Sequence, residues 1–274
     1  MTTEPVRAGA DWLGLREPAD AAARATDLVE VLRSRLGRDG VLQVHDLGCG
    51  TGSMARWLAA RLPGPQHWVL SDRDAALLPL AAAGAPRTAA DGAPVSVETV
   101  QRDITRLDPD ELSGASLVTA SALLDMMTGQ ELDRFVATCV GSRCPTLITL
   151  SVTGHVELSP GDPSDGLFGA AFNDHQRRDS LAGRRLGPDA FATAVAGFTT
   201  AGLEVLVRPS PWVLGSGAGA LSAAWLDGWV GAACEQRPEL EELRTDYLGR
   251  RLAELADGHL EVTVHHEDLL ALPA

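Results

Sequence analysis

A chain of 274 residues with 45% hydrophobic content can bury a full core as one large domain, and its formal charge of −14 argues against nucleic acid or an acidic membrane as partner, because neutralising phosphates needs a basic face. None of its 23 basic residues is a lysine, which excludes a lysine Schiff base and a Walker-type phosphate lysine. No run approaches the apolar length of a membrane span and the start MTTEPVRAGAD lacks the apolar stretch of a signal peptide, so a cytoplasmic enzyme acting on a small molecule is expected.

The first predicted element is a helix over about 21–36, with Pro18 or Asp20 near its start and Trp12 and Arg16 in the segment before it. Next comes VLQVHDLGCGTGS at 41–53. Its β-branched, apolar start reads as a buried parallel strand that stops near Asp46. Gly48, Gly50 and Gly52 then permit positive φ and close approach of a ligand, and residues 53–62 have the pattern of an amphipathic helix whose unpaired N–H groups favour an anionic ligand group. Cys49 sits where a small residue is needed, and packing explains it better than nucleophilic chemistry. The four cysteines lack C-x-x-C spacing, so free thiols and no zinc site are expected.

Residues 67–70 form a second strand ending in SDRD at 71–74, which puts an acid about 20 residues beyond the glycines, where it can hold ribose hydroxyls. Asp72 is the choice by position, and a helix-capping role for Asp72 or Asp74 is the alternative. An alternating strand at 95–100 leads into QRDI at 101–104, and a fourth strand at 115–121 leads into ALLDMM at 122–127. Asp125 there can face a reaction pocket; the alternative is that Leu123, Leu124, Met126 and Met127 are simply core, which suits the two methionines better. The fifth strand, at 145–152, is followed by a long connection over 153–188 that contains His155, Phe172, Asn173 and His175, and connections of this length tend to be lids or binding loops. A helix at 189–201, a strand at 203–208, a helix carrying Trp225 and Trp229 on one face, a helix at 240–255 and a last strand at 259–265 complete the chain.

Asp46-Leu47-Gly48-Cys49-Gly50-Thr51-Gly52, followed by Asp72 and Asp103 at successive strand ends, resembles the cofactor motifs of the class I S-adenosylmethionine-dependent methyltransferases over roughly 41–208. The resemblance implies an α/β fold, a doubly wound, mostly parallel seven-stranded Rossmann-like sheet with the last strand antiparallel. It also implies an N-terminal helical lid at 1–40, a core at 41–208 including the 153–188 insertion, and a helical cap excursion at 209–274 within the same domain. The implied cofactor is S-adenosyl-L-methionine, leaving as S-adenosyl-L-homocysteine. Gly48, Cys49, Gly50 and Gly52 would admit its amino-acid end, Asp46 its amino group, Asp72 with Arg73 the ribose, and Asp103 with Ile104 the adenine, Ser121 completing the set.

Trp12, Arg16, Asp125, Phe172 and Asn173 are the candidates for contact with substrate. His155 and His175 are the candidate general bases, although a lone histidine is more often a structural hydrogen-bonder. No metal is expected, since no Asp-Asn pair follows the fifth strand. Natural-product tailoring fits the extended cap by association, and a homodimer is left open. Two other readings remain: an S-adenosylmethionine-binding protein or cyclase that transfers no methyl group, and an NAD-dependent oxidoreductase, for which Ser53 is an ill-fitting last position of a dinucleotide glycine motif.

Overall fold

The computed structural model describes residues 9–37 and 40–273, so the first eight residues of the expected lid lie outside the described residues. In chain order the elements are α1 (Ala10–Ala23), α2 (Thr26–Arg35), β1 (Leu42–Leu47), α3 (Ser53–Ala59), β2 (Gln66–Asp72), α4 (Leu78–Ala83), β3 (Val95–Gln101), β4 (Leu117–Ser121), α5 (Gly129–Ser142) and β5 (Thr146–Ser159). They continue with α6 (Asp165–Gln176), the hairpin β6 (Asp179–Ser180) and β7 (Gly183–Arg184), α7 (Ala190–Thr200), β8 (Glu204–Pro209), β9 (Trp212–Leu214), α8 (Gly219–Gln236), α9 (Glu241–Ala256) and β10 (Glu261–Leu272).

The sheet order is β3-β2-β1-β4-β5-β10-β8, with β1 to β5 parallel and β10 antiparallel between β5 and β8. This is the expected doubly wound arrangement. The short strand β9, read from sequence as part of a helical excursion, pairs with the start of β10 and makes the sheet eight-stranded rather than seven-stranded. β5 and β10 run well beyond their expected ends, because each supplies the other with backbone partners from Thr146 to Ser159. The connection after the fifth strand is therefore structured. Its first seven residues continue β5, and α6 and the β6–β7 hairpin take up most of the rest.

The N-terminal expectation also needs correction: residues 10–20 are helical, Pro18 lies inside α1, and the chain breaks at Arg24 and Ala25 before α2. Asp20 caps nothing. It is buried, and accepts from the Arg16 guanidinium and from Trp212 Nε1 at 3.0 Å. The break is held by Asp268, whose buried carboxylate accepts the N–H groups of Ala25 at 2.8 Å and Leu150 at 2.7 Å and the Ser210 hydroxyl. A register shift in β10 between Glu267 and Leu269 brackets Asp268, and its carboxylate bonds inward as it would not in a regular ladder.

Three apolar clusters follow from this layering. One face of the sheet packs Trp57 and Trp68 with α2 and α3, and the other packs Phe135, Phe191 and Phe198 with α5 and α7. The third cluster joins Phe168, Trp225, Trp229 and Tyr247 of α6, α8 and α9 to β9 and the start of β10, so the cap has a core of its own. Among the described residues no helix is long and apolar enough to cross a membrane.

Candidate functional site

At the carboxyl end of β1 the chain turns sharply: Gly48, Gly50 and Gly52 all adopt positive φ, and the N–H groups of Gly48 and Cys49 donate to the Ser71 carbonyl at 2.8 and 2.9 Å. A Cβ on Gly48 would stand 3.0 Å from Leu123 Cδ2, and one on Gly50 would stand 3.2 Å from Leu13 Cδ1 of α1. The loop thus lies between the start of the chain and the segment after β4. α3 has only seven residues instead of the expected ten, so the loop and the strand tips, more than a helix end, shape this corner.

A cleft of about 550 Å³ opens there. Asp46, Gly48, Cys49, Gly50, Asp72, Arg73, Asp103, Ile104 and Ser121 line it, together with Trp12, Leu13 and Arg16 of α1. Gly52 does not. It serves the turn, at φ 86° before α3. Asp72 accepts the N–H of Gly50 at 2.8 Å through one oxygen and that of Asp74 at 2.8 Å through the other, while Asp74 caps the following turn at Ala76. Asp103 is exposed and bonds Thr105. Asp46 is buried with Oδ1 accepting from Thr119 at 2.7 Å and Oδ2 unpartnered among the described residues, and burial pushes its carboxyl up to about 6. Burial likewise raises the Cys49 thiol, which disfavours a thiolate nucleophile.

Behind the cleft lies a polar web. Arg24 is 2% exposed, and its guanidinium donates to Ser53 Oγ at 3.0 Å, Ser121 Oγ at 3.2 Å and, more weakly, Thr149 Oγ1 at 3.4 Å, amid the charges of Asp20, Asp268 and Asp46. Nearby, Ala122 and Leu150 hold left-handed backbone conformations that cost non-glycine residues roughly 1–3 kcal/mol each, and such strain collects at functional sites.

The cleft meets a second cavity of about 840 Å³ at Trp12, Arg16, Ala122, Asp125 and Met126, which line both. Burial pushes the Asp125 carboxyl up to about 6 at this junction. Phe172, Asn173, His155 and His175 all line the second cavity and none lines the first. His155 stands exposed at its rim, where its Nε2 and that of His265 approach Glu157 Oε1 at 2.8 and 3.2 Å. These three donors lie within 4.8 Å of one another, a grouping able to hold a divalent ion that the sequence reading did not anticipate. His175 is tucked against Arg178 and bonds Glu235 at 3.0 Å, and burial with the Arg178 charge lowers its basicity.

Residues 44–142 match the family described as "methyltransferase domain", which spans β1 to α5 and so contains the glycine loop, Asp72, Asp103 and Asp125. This segment is similar to a methyltransferase domain, in keeping with S-adenosylmethionine as the cofactor. The fold of the chain is similar to that of the cyclopropane synthase MmaA2 from Mycobacterium tuberculosis, at 12% identity over 96% of this chain and 94% of that one with a TM-score of 0.52. It is likewise similar to the mycolic acid cyclopropane synthase CmaA1 in its apo form, at 14% identity over 96% and 100% with a TM-score of 0.50. At such identities the likeness is one of fold alone. No curated protein matches the sequence.

For this methyltransferase, nine of the ten residues expected at the cofactor come together in one cleft, and all five expected at the substrate line the adjoining cavity. What the sequence reading missed is Arg24 and Asp268, because an arginine in an alanine-rich helix and an acid in the last strand carry no local signal of burial. Asp125, expected at the substrate, lines both spaces, whereas His155 and His175, expected as general bases, line only the larger one.

Proposed function

We propose that this methyltransferase moves a methyl group from S-adenosylmethionine in the smaller cleft to a small molecule in the larger cavity, in the tailoring of a natural product. The observation that carries the reading is the shared wall: Asp125, Met126, Trp12 and Arg16 line both spaces. The chemistry of the cleft fits the cofactor. Asp46 Oδ2, without a partner among the described residues, offers an acceptor for an ammonium group; Gly48 and Gly50 line the cleft with no side chain of their own; and Asp72 and Asp103 retain acceptor capacity for ribose hydroxyls and an adenine amino group.

Bound S-adenosylmethionine supplies an already activated methyl electrophile, so the chain has chiefly to position the acceptor. Asp125 takes the proton released by the acceptor's nucleophilic atom, since a carboxylate titrating near 6 is a stronger base than an ordinary one and is still ionised at neutral pH. Trp12 and Arg16 close the junction from α1 and keep water from it. A cytoplasmic setting is part of the proposal and fits four cysteines without a disulfide.

The test is calorimetric titration with S-adenosylhomocysteine, followed by a screen of small-molecule acceptors for S-adenosylhomocysteine release. Absence of binding in the native protein overturns the cofactor assignment, and acceptor turnover without S-adenosylhomocysteine overturns methyl transfer.

A further inference from the structure

Acids outnumber bases 37 to 23 in this chain, so an arginine without a carboxylate partner is not short of possible ones. Around the larger cavity the arginines divide. Arg16 pairs with Asp20 at 2.9 Å and Arg244 lies 3.5 Å from both Asp227 and Glu241. Arg178 and Arg185 have no carboxylate within ion-pair distance among the described residues, although both line the cavity. The β6–β7 hairpin brings them together, the N–H of Arg185 donating to the Arg178 carbonyl at 3.3 Å. Partial burial and, for Arg178, the neighbouring charge of Arg185 make the protonated guanidinium of each less favourable than in water.

Glu235 for Arg178, and Asp125 and Glu131 for Arg185, compensate these charges only from beyond ion-pair distance, and the same cavity holds unpartnered polar atoms. Arg185 Nε, Trp229 Nε1, Gln176 Oε1 and His266 Nδ1 are buried without a hydrogen-bond partner among the described residues, and all four residues line this cavity. Buried polar groups are ordinarily satisfied, so four orphans around one cavity mark a place that a polar ligand completes. Two planar guanidinium forks fix the sign of its charge, since they match carboxylate and phosphate oxygens. Trp225 and Trp229, almost fully buried and stacked with ring centroids 5.2 Å apart, make part of its wall apolar.

We infer that the methyl acceptor is a largely apolar molecule bearing a carboxylate or phosphate, and that Arg178 and Arg185 grip this anionic group while the body rests against the apolar part of the cavity wall. The inference rests on methyl transfer for the word acceptor, whereas the anion site itself does not. The pair fixes the acceptor's anionic end near Asp125, whose charge Arg185 feels.

The probes are 1-naphthaleneacetate against 1-naphthaleneacetamide and 1-naphthyl phosphate against 1-naphthol, titrated calorimetrically with and without saturating S-adenosylhomocysteine. At least one anion is expected to bind roughly tenfold or more tightly than its neutral analogue, and which one does separates carboxylate from phosphate. Arg185→Gln should reduce the ratio to within about threefold, Arg185→Lys should keep most of it, and Arg184→Gln, at an exposed neighbour outside the cavity, should leave it unchanged. Failure of both anions to bind more tightly than their neutral analogues overturns the inference, as does an equal loss in Arg184→Gln. Absence of S-adenosylhomocysteine binding would instead sink the methyltransfer reading, leaving the preference measured without it to decide the anion site.

Discussion

The carboxylate of Asp72 accepts the backbone N–H of Gly50 at 2.8 Å, tying the tip of β2 to the middle of the glycine loop that follows β1. One acid therefore organises the loop and faces the cleft in which the proposed ribose contact would form, which couples two elements that the sequence separates by about twenty residues.

Asp72→Ala is expected to weaken S-adenosylhomocysteine binding by roughly ten- to a hundredfold, the loss of a charge-assisted hydrogen bond and of the loop's anchor together. Gly50→Val should weaken it at least as much, because it places a β-branched side chain at φ 55° against Leu13. Calorimetric titration of both variants decides, and unchanged affinity in both would remove this cleft from the cofactor.

Asp125 titrates near 6 because burial disfavours its charge. The base form is gained as pH rises, so kcat/KM should climb through about pH 6 and level off above it, and Asp125→Asn should lose this limb and about 10²–10⁴ in rate. The stability sign runs the other way. A raised carboxyl pKa in the fold penalises the native state above about pH 6 and leaves it unpenalised below the ordinary carboxylate value, so Asp125→Asn should be more stable than the parent at pH 8, by ~1 kcal/mol, with no difference at pH 3. Asp46 also titrates near 6, and its part is separated by the pH dependence of S-adenosylhomocysteine affinity, which Asp125→Asn should leave intact.

Arg24→Met removes the cation that stands among Asp20, Asp46 and Asp268 and keeps most of the side-chain volume. Leaving buried carboxylates without it should cost ~3–5 kcal/mol in urea unfolding at neutral pH. A cost below ~1 kcal/mol would mean that these acids are already neutral in the fold.

In the cap, Arg251 is fully buried and donates to both oxygens of Asp165 at 2.6 Å, joining α9 to α6, and Tyr247 donates to the same acid at 2.6 Å. Arg251→Met should destabilise by ~3 kcal/mol or more and open α8 and α9 to limited proteolysis. S-adenosylhomocysteine affinity should move by less than about threefold, since none of these residues lines the cleft.

The sequence by itself determined the glycine loop, the alternation of strands and helices, the acids at the ends of β1, β2 and β3 and hence the cofactor class. These are local signals, in which a strand's period, a turn's need for positive φ and a fixed spacing are written in adjacent residues. Tertiary structure alone decided that β5 and β10 extend each other and that β9 joins the sheet, because strand length depends on whether a distant segment supplies backbone partners. It likewise decided that Arg24 and Asp268 are buried, that Asp125 stands where the two cavities meet while His155 is left at the rim, and that Arg178 and Arg185 face the cavity unpaired. Burial and charge compensation belong to the neighbours a residue acquires in space, and nothing in the residues beside two arginines seven positions apart shows that a hairpin brings them to one cavity.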